Sequence, residues 1–370
     1  MGIEEQLRQI SFALLRFSAF SAHAVIFGML VILLLVLRPG FSPLGSAWDA
    51  GRAALSGRLE GLLRACLLVS FVATSLILLL QTALISELDV GDIEGDSFFS
   101  VLETTFGQYT ALRMPLLAGL AVLLLGRVKT WALTPRTGGK GPSAAWWASW
   151  GLLALALLAT SSFSGHAQVA TPRALSLFND VVHLASGSVW FAGIILLAVL
   201  LPDGWVGKGP VDRLDLLGPV VVRFSHVALG AISVVAATGT LNSFLHLERF
   251  ADLWRSSYGQ ALALKILLFF GILVLGGVNH FFLRDRLAAA RAHDSPATEA
   301  HRIFRKTIAA ELAIAIAIMA ATGLLVGLSR TKKIERRPTP QAHLLPLFEI
   351  PIEPFPRTET AAGSSQSKPL

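Results

Sequence analysis

Eight apolar runs, each near the ~20 residues that cross a bilayer as a helix, punctuate this chain at about 12–37, 62–85, 111–128, 144–162, 176–201, 220–244, 260–283 and 304–328. Lipid gives backbone N–H and C=O groups no partner, so runs of this kind are held to helices that satisfy their own hydrogen bonds. Composition agrees: 54% of the 370 residues are apolar, only 15% are charged and the mean hydropathy is +0.64, which leaves too few charges to solvate a globule of that size. A single Cys excludes a disulfide scaffold, a Cys-rich zinc module and an iron–sulfur protein. The predicted class is all-α and polytopic, with eight transmembrane helices in the lipid bilayer. The first run is not a cleavable signal, because it far exceeds a signal peptide's short apolar region and ends in Arg38-Pro39 with no small-residue cleavage pattern.

The net charge of +7 and pI near 10 would suggest nucleic acid in a soluble chain. In a membrane protein, basic loops set orientation, and no nucleic-acid partner is expected. Segments 38–64, 127–140, 202–223 and 284–306 hold 17 Lys and Arg residues, whereas the opposite side, tail excluded, holds only five: Arg8, Arg16, Arg173, Arg249 and Arg255. The loop between the second and third runs has none and carries Glu87, Asp89, Asp92, Glu94, Asp96 and Glu103. Both termini are therefore predicted to be extracytoplasmic, although the basic run from Arg330 to Arg337 pulls the other way. From about 331 onward six prolines between 338 and 356, followed by a Gly/Ser/Gln end, predict an extended or disordered tail suited to docking a partner.

The segments Thr105-Phe106-Gly107-Gln108 and Ser257-Tyr258-Gly259-Gln260 share a pattern, each followed by a base six residues after the Gly, Arg113 and Lys265, and then by Gly119 and Gly271 at one offset. The third and seventh helices are thus predicted to occupy homologous positions in two four-helix halves related as a parallel repeat. Arg113 and Lys265 lie about one and a half turns inside the outer boundary. Either they snorkel to the headgroups or they hold a carboxylate or anion in the bundle.

Ionisable groups inside spans are costly and therefore mark candidate sites. The densest set lies at the outer ends of the fourth to sixth helices. His166 closes the fourth, and Asp180 and His183, three apart on one face of the fifth, precede Trp190 by up to three turns. Asn242 and His246 end the sixth, and Gln81 ends the second. Imidazoles with a carboxylate and amides suit a first-row transition metal, copper included, with Asp180 as a ligand or as the acceptor that fixes the tautomer of a ligating His. The predicted metal set is His166, His183, Asp180 and His246, supported by Asn242, Gln81, Trp190, Arg113 and Lys265. Read as structure instead, a membrane His is a hydrogen-bonded packing element. His23 fits that reading, while His226, His280, His293 and His301 fall on the cytoplasmic side, Glu311 is expected to pair with another intramembrane polar group, and Met29, Met114, Met319 and Cys66 read as packing. Neither a nucleotide-binding nor a hydrolase motif is present, so no catalytic residue is assigned and the chain is not expected to be an enzyme.

Several stretches together resemble the copper resistance protein D (CopD) family of bacterial inner-membrane proteins: Gly165-His166-Ala167, Asp180 to His183 continuing through Trp190 to Gly193, Arg223-Phe224-Ser225, Thr238 to Asn242, and Tyr258-Gly259 with Lys265 and Asn279. Arg16-Phe17 with Gly28 resembles the family's first helix. The chain departs from the pattern at Ala19, where some members have His, and at Trp190-Phe191-Ala192-Gly193, where Trp-Gly-Gly is usual. The resemblance implies copper handling, by uptake toward the cytoplasm or by delivery beside a periplasmic copper carrier. It divides the chain into 1–205 (helices one to five), a CopD-like core at 206–330 (helices six to eight) and the tail 331–370. The tail's first part resembles the linker to a cytochrome oxidase assembly (CtaG-type) domain in fused relatives, which implies such a protein as a partner. The expected function is copper transport or homeostasis across the cytoplasmic membrane through an extracytoplasmic His/Asp site. The alternatives are a haem- or quinone-linked redox protein, with His23 and His183 the pair for haem, and a copper-delivery assembly subunit.

Overall fold

The computed structural model describes residues 3–41, 49–86, 91, 93, 95–125, 142–165, 172–200, 210–247, 249, 251–279, 281 and 294–325, without the side chains of 3–6, 50, 210–217, 246 and 294–301. The tail, His280 and His293 lie outside this set. The described residues contain no strand. The helices are α1 (Ile3–Ile32), continued by a π-helical turn Leu33–Leu37 and α2 (Arg38–Phe41), then α3 (Asp49–Ser86), α4 (Gly95–Glu103), α5 (Thr105–Leu124), α6 (Ala144–Phe163), α7 (Arg173–Leu200), α8 (Pro210–His246), α9 (Asp252–Arg255), α10 (Ser257–Val278) and α11 (Asp294–Leu325). Eight of them, α2 and its π turn counted with α1, are long and apolar enough to cross a membrane, as the hydropathy predicts.

The first span is the axis of the bundle. In its apolar window 67% of residues are buried, against 11% in the seventh span, and it packs on α3, α6, α7 and α11. Lipid is as apolar as leucine, so association inside a bilayer depends on close backbone approach at small residues. Gly28 supplies that approach to α7, because a Cβ there would lie 2.1 Å from the Ser188 carbonyl oxygen. Gly323 brings α11 against Ala13 and Phe17 in the same way. Gly193 on α7 accepts the Phe224 ring of α8. The indole of Trp150 on α6 donates to the Ile26 carbonyl across 3.1 Å, where α1 is otherwise wrapped in apolar side chains. The π turn falls where Pro39 has no N–H for the Leu35 carbonyl and its ring crowds that oxygen.

The third and seventh spans start identically. Each follows a short helix, α4 or α9, and each is capped by a hydroxyl: Thr104 accepts from the Gly107 N–H and Ser256 from the Gly259 N–H. Gly107 and Gly259 would each place a Cβ 2.0 Å from a carbonyl of the preceding short helix, Val101 or Asp252. Gln108 and Gln260 each donate a side-chain amide back to a carbonyl just before the helix. The repeated sequence pattern is therefore a repeated structural device, a glycine that lets a short surface helix fold back on the start of a span. Gly107→Ala and Gly259→Ala are each expected to destabilise the protein by about 1–3 kcal/mol, the usual cost of overpacking where the neighbour, here a short surface helix, can shift. Thermal melts of the two variants in detergent, with Gly276→Ala, where a Cβ meets nothing within 4 Å, as control, measure the effect.

Candidate functional site

A cavity of about 520 Å³ opens among the spans toward the end where the second and third, fourth and fifth, and sixth and seventh spans are joined, and every span contributes to its wall. One polar part of it is built by α7 and α8. The Asn179 amide donates to the Thr238 carbonyl at 2.9 Å and to Asn242 Oδ1 at 2.8 Å, and Asn242 in turn donates to Asp180 Oδ1 at 3.4 Å. One turn deeper, His183 Nδ1 meets Thr238 Oγ1 at 2.9 Å. The Thr238 hydroxyl has one proton and gives it to the Val234 carbonyl at 2.6 Å, so Nδ1 is the donor in the pair with His183. In that tautomer Nε2 is the unprotonated, ligand-competent nitrogen on a side chain that lines the cavity. Gly239 makes room for the ring, since a Cβ there would lie 3.2 Å from His183 Cε1.

Asp180, His183, Trp190 and Asn242 all line the cavity. Gln81 is half-buried at the end of α3 and is not among the residues lining the cavity. His166 lies outside the described residues, next to Gly165, which does line it. His246 closes α8 and its side chain also lies outside the described set. Among the described residues no three His, Cys, Asp or Glu side chains converge as a metal cluster.

Snorkelling of Arg113 is not what the fold does with it. Arg113 is 6% exposed and turns inward, donating from Nε to Thr160 Oγ1 at 2.9 Å and from Nη2 to Ser164 Oγ at 2.8 Å and the Thr160 carbonyl at 3.4 Å. Thr160 and Ser164 are one turn apart on α6, so they present their oxygens as a fork that a planar guanidinium matches. Lys265, its counterpart in the repeat, lines the same cavity and is attracted by the Asp180 carboxylate. Arg16 also lines it, near enough to Arg113 for the two charges to repel.

Sequence reasoning missed Arg16 and Thr238 as site members and read Met319 as packing, whereas Met319 is both buried and on the cavity wall. His23 is 1% exposed, pairs through Nε2 with Ser70 Oγ at 2.7 Å and also borders the cavity, with Nδ1 buried and without a hydrogen-bond partner. Glu311 pairs as expected, accepting from the Asn279 amide at 2.5 Å.

Two family models match the chain: the copper resistance protein D-like N-terminal domain over residues 7–172 and copper resistance protein D over residues 218–325. Among curated proteins, the chain is 29% identical over 287 residues to the copper transport protein CutJ of Bacillus subtilis (strain 168), covering 76% of this chain and 48% of that protein. It is 25% identical over 181 residues to copper resistance protein D of Pseudomonas syringae pv. tomato, covering 48% of this chain and 57% of that protein. The chain spans about half the length of the curated relatives it matches. No solved structure matches it. Gly28, Gly193 and Gly239, and the polar ladder from Asn179 to Asn242, give physical reasons for the motifs that carried the resemblance, and the two models take in both ends of the bundle. With eight helices long and apolar enough to cross a membrane and matches to two models of one family over residues 7–172 and 218–325, the chain is a multi-pass membrane protein that belongs to the copper resistance protein D family.

Proposed function

We propose that the protein takes up or delivers copper across the cytoplasmic membrane, with the cargo binding at His183 in the cavity between α7 and α8 and reaching it from the extracytoplasmic side. The observation that carries this reading is the His183–Thr238 pair, which orients the imidazole on the cavity wall with Nδ1 toward Thr238, in a chain of a copper-handling family. Asp180 lies one turn away as a carboxylate ligand or as an outer partner, and Met319 adds a soft thioether to the same wall. His166, next in sequence to the cavity residue Gly165, completes the set. The excess of Lys and Arg on the opposite loops supports an extracytoplasmic opening and extracytoplasmic termini. Either a periplasmic copper carrier or a CtaG-type assembly protein would be the exchange partner, and the chain carries out no catalytic step.

Copper content of cells measures the proposal. A deletion strain complemented with the wild-type protein is expected to differ severalfold in cell-associated copper from the same strain complemented with His183→Ala, at equal membrane abundance of the two. Equal copper contents, together with metal-free protein on purification from copper-supplemented cells, would overturn it.

A further inference from the structure

A copper ion accounts for His183 and Asp180 but makes the rest of the cavity harder to understand. Three basic side chains line it, Arg16 from the first span, Arg113 from the third and Lys265 from the seventh, and Asp180 is the one acidic side chain among the described lining residues. Arg113 and Lys265 each sit eight residues beyond the start of their helices, about 12 Å of helix at 1.5 Å per residue. Asp180 lies seven residues beyond Arg173, about 10 Å of helix by the same rise, and Arg16 reaches the same cavity from the first span. Asp180 attracts Lys265. Arg16 and Arg113 repel one another, and Arg113 donates to neutral oxygens of Thr160 and Ser164. Those partners hold Nε and Nη2, which leaves Nη1 for the cavity. Guanidinium groups brought together inside an apolar bundle are expensive unless an anion joins them, and a cationic cargo alone would add to the cost.

The remainder of the wall says what kind of anion. Ala19, Phe20, Phe106, Trp190, Phe269 and Phe270 face the same space, and about 520 Å³ of largely apolar surroundings is within the range of sites for small organic molecules and far larger than an inorganic ion requires. We propose that the cavity is a binding site for an organic anion with an apolar body, its carboxylate or phosphate held between Arg16 and Arg113 with Lys265 alongside, and its body against the aromatic wall. Either a free amphiphilic anion or the headgroup of an anionic lipid has this chemistry. The site stands independently of the copper reading, because none of the three cations is a metal ligand.

The test uses the full chain in a neutral detergent with copper removed by chelator. Radiolabelled dodecanoate is the probe, measured by equilibrium dialysis, with dodecanol as the neutral analogue. Saturable dodecanoate binding is expected, dodecyl phosphate should compete with it, and acetate and inorganic phosphate should not. Arg16→Gln and Lys265→Gln should each weaken binding by about tenfold or more, roughly the loss of one charge-assisted hydrogen bond. Arg113→Gln should do the same where its melting curve shows it folded, and Arg16→Lys should retain most of the affinity. Displacement of dodecanoate by phosphatidylglycerol but not phosphatidylcholine identifies the occupant as a lipid headgroup, and failure of both lipids to displace it identifies a free anion. Dodecanol binding as tightly as dodecanoate, or undiminished binding in a folded Arg16→Gln variant, would overturn the proposal. Loss of copper binding with dodecanoate binding intact would overturn the copper reading and leave this one standing.

Discussion

Gly28→Ala is expected to keep the bundle from assembling. The added Cβ would sit 2.1 Å from the Ser188 carbonyl oxygen and 2.7 Å from Ala192 Cβ, inside the van der Waals radius of groups that belong to the α7 backbone or are fixed directly to it. No rotamer relieves this clash, so α1 and α7 must move apart by more than an ångström along the most buried helix of the protein. Overpacking in a close-packed interior costs about 1–3 kcal/mol when side chains can adjust, and here they cannot, so a loss above about 3 kcal/mol is expected. Recovery of monodisperse protein and the helical melt in detergent measure it. Gly193→Ala provides the contrast: the obstacle is the Phe224 ring at 1.9 Å, a side chain that can be removed. Phe224→Ala should therefore restore part of the stability lost in Gly193→Ala, giving a coupling between the two positions, whereas Ala192→Gly should not rescue Gly28→Ala because the Ser188 carbonyl remains. A Gly28→Ala variant that melts like the wild type would mean that α1 and α7 are not in the contact described.

Hydropathy located all eight spans because lipid imposes one requirement, an apolar run of sufficient length, that is read directly along the chain. It misplaced starts. The second span was expected from about 62, yet α3 begins at Asp49, since Arg52 pairs with Asp49 at 2.6 Å and Arg64 pairs with Glu60 inside the helix. Charges satisfied within a turn do not end a helix, and hydropathy registers only their polarity. The third span likewise begins six residues before its apolar run, at Thr105, because the Thr104 cap and Gly107 permit a polar first turn. In the site, Asp180, His183 and Trp190 were legible because helical spacing puts them on one face. The orientation of Arg113 was not, because it depends on Thr160 and Ser164, 47 and 51 residues away, and a long side chain near a boundary can satisfy itself in either direction. Thr238 was visible as part of a motif, but its role as the acceptor that sets the tautomer of His183 depends on a contact 55 residues apart in sequence.

That contact supports the second large effect. His183→Ala is expected to abolish high-affinity copper binding, since it removes the imidazole whose Nε2 is kept unprotonated in the cavity. Thr238→Val tests why that nitrogen is free. The substitution keeps the volume and removes the hydroxyl oxygen facing Nδ1, so the ring is less firmly held and the proton can move to Nε2, where it blocks ligation. Outer partners of metal-bound histidines are worth about ten- to a hundredfold in affinity, and Thr238→Val should fall in that range while Thr238→Ser, which keeps the acceptor, stays near wild type. Asp180→Asn separates charge from hydrogen bonding at the next turn. An amide oxygen can still accept from Asn242, so a loss of about ten- to a hundredfold there reports the carboxylate's negative charge or its direct coordination, and its removal also leaves Lys265 without its attracting partner on the cavity wall. The measurement is competition of purified protein against a copper chelator of known affinity at fixed pH, with folding checked by helical circular dichroism. A folded His183→Ala variant that competes as well as the wild type would remove His183 from the site, and equal losses in Thr238→Ser and Thr238→Val would show that the hydroxyl does not act through the imidazole.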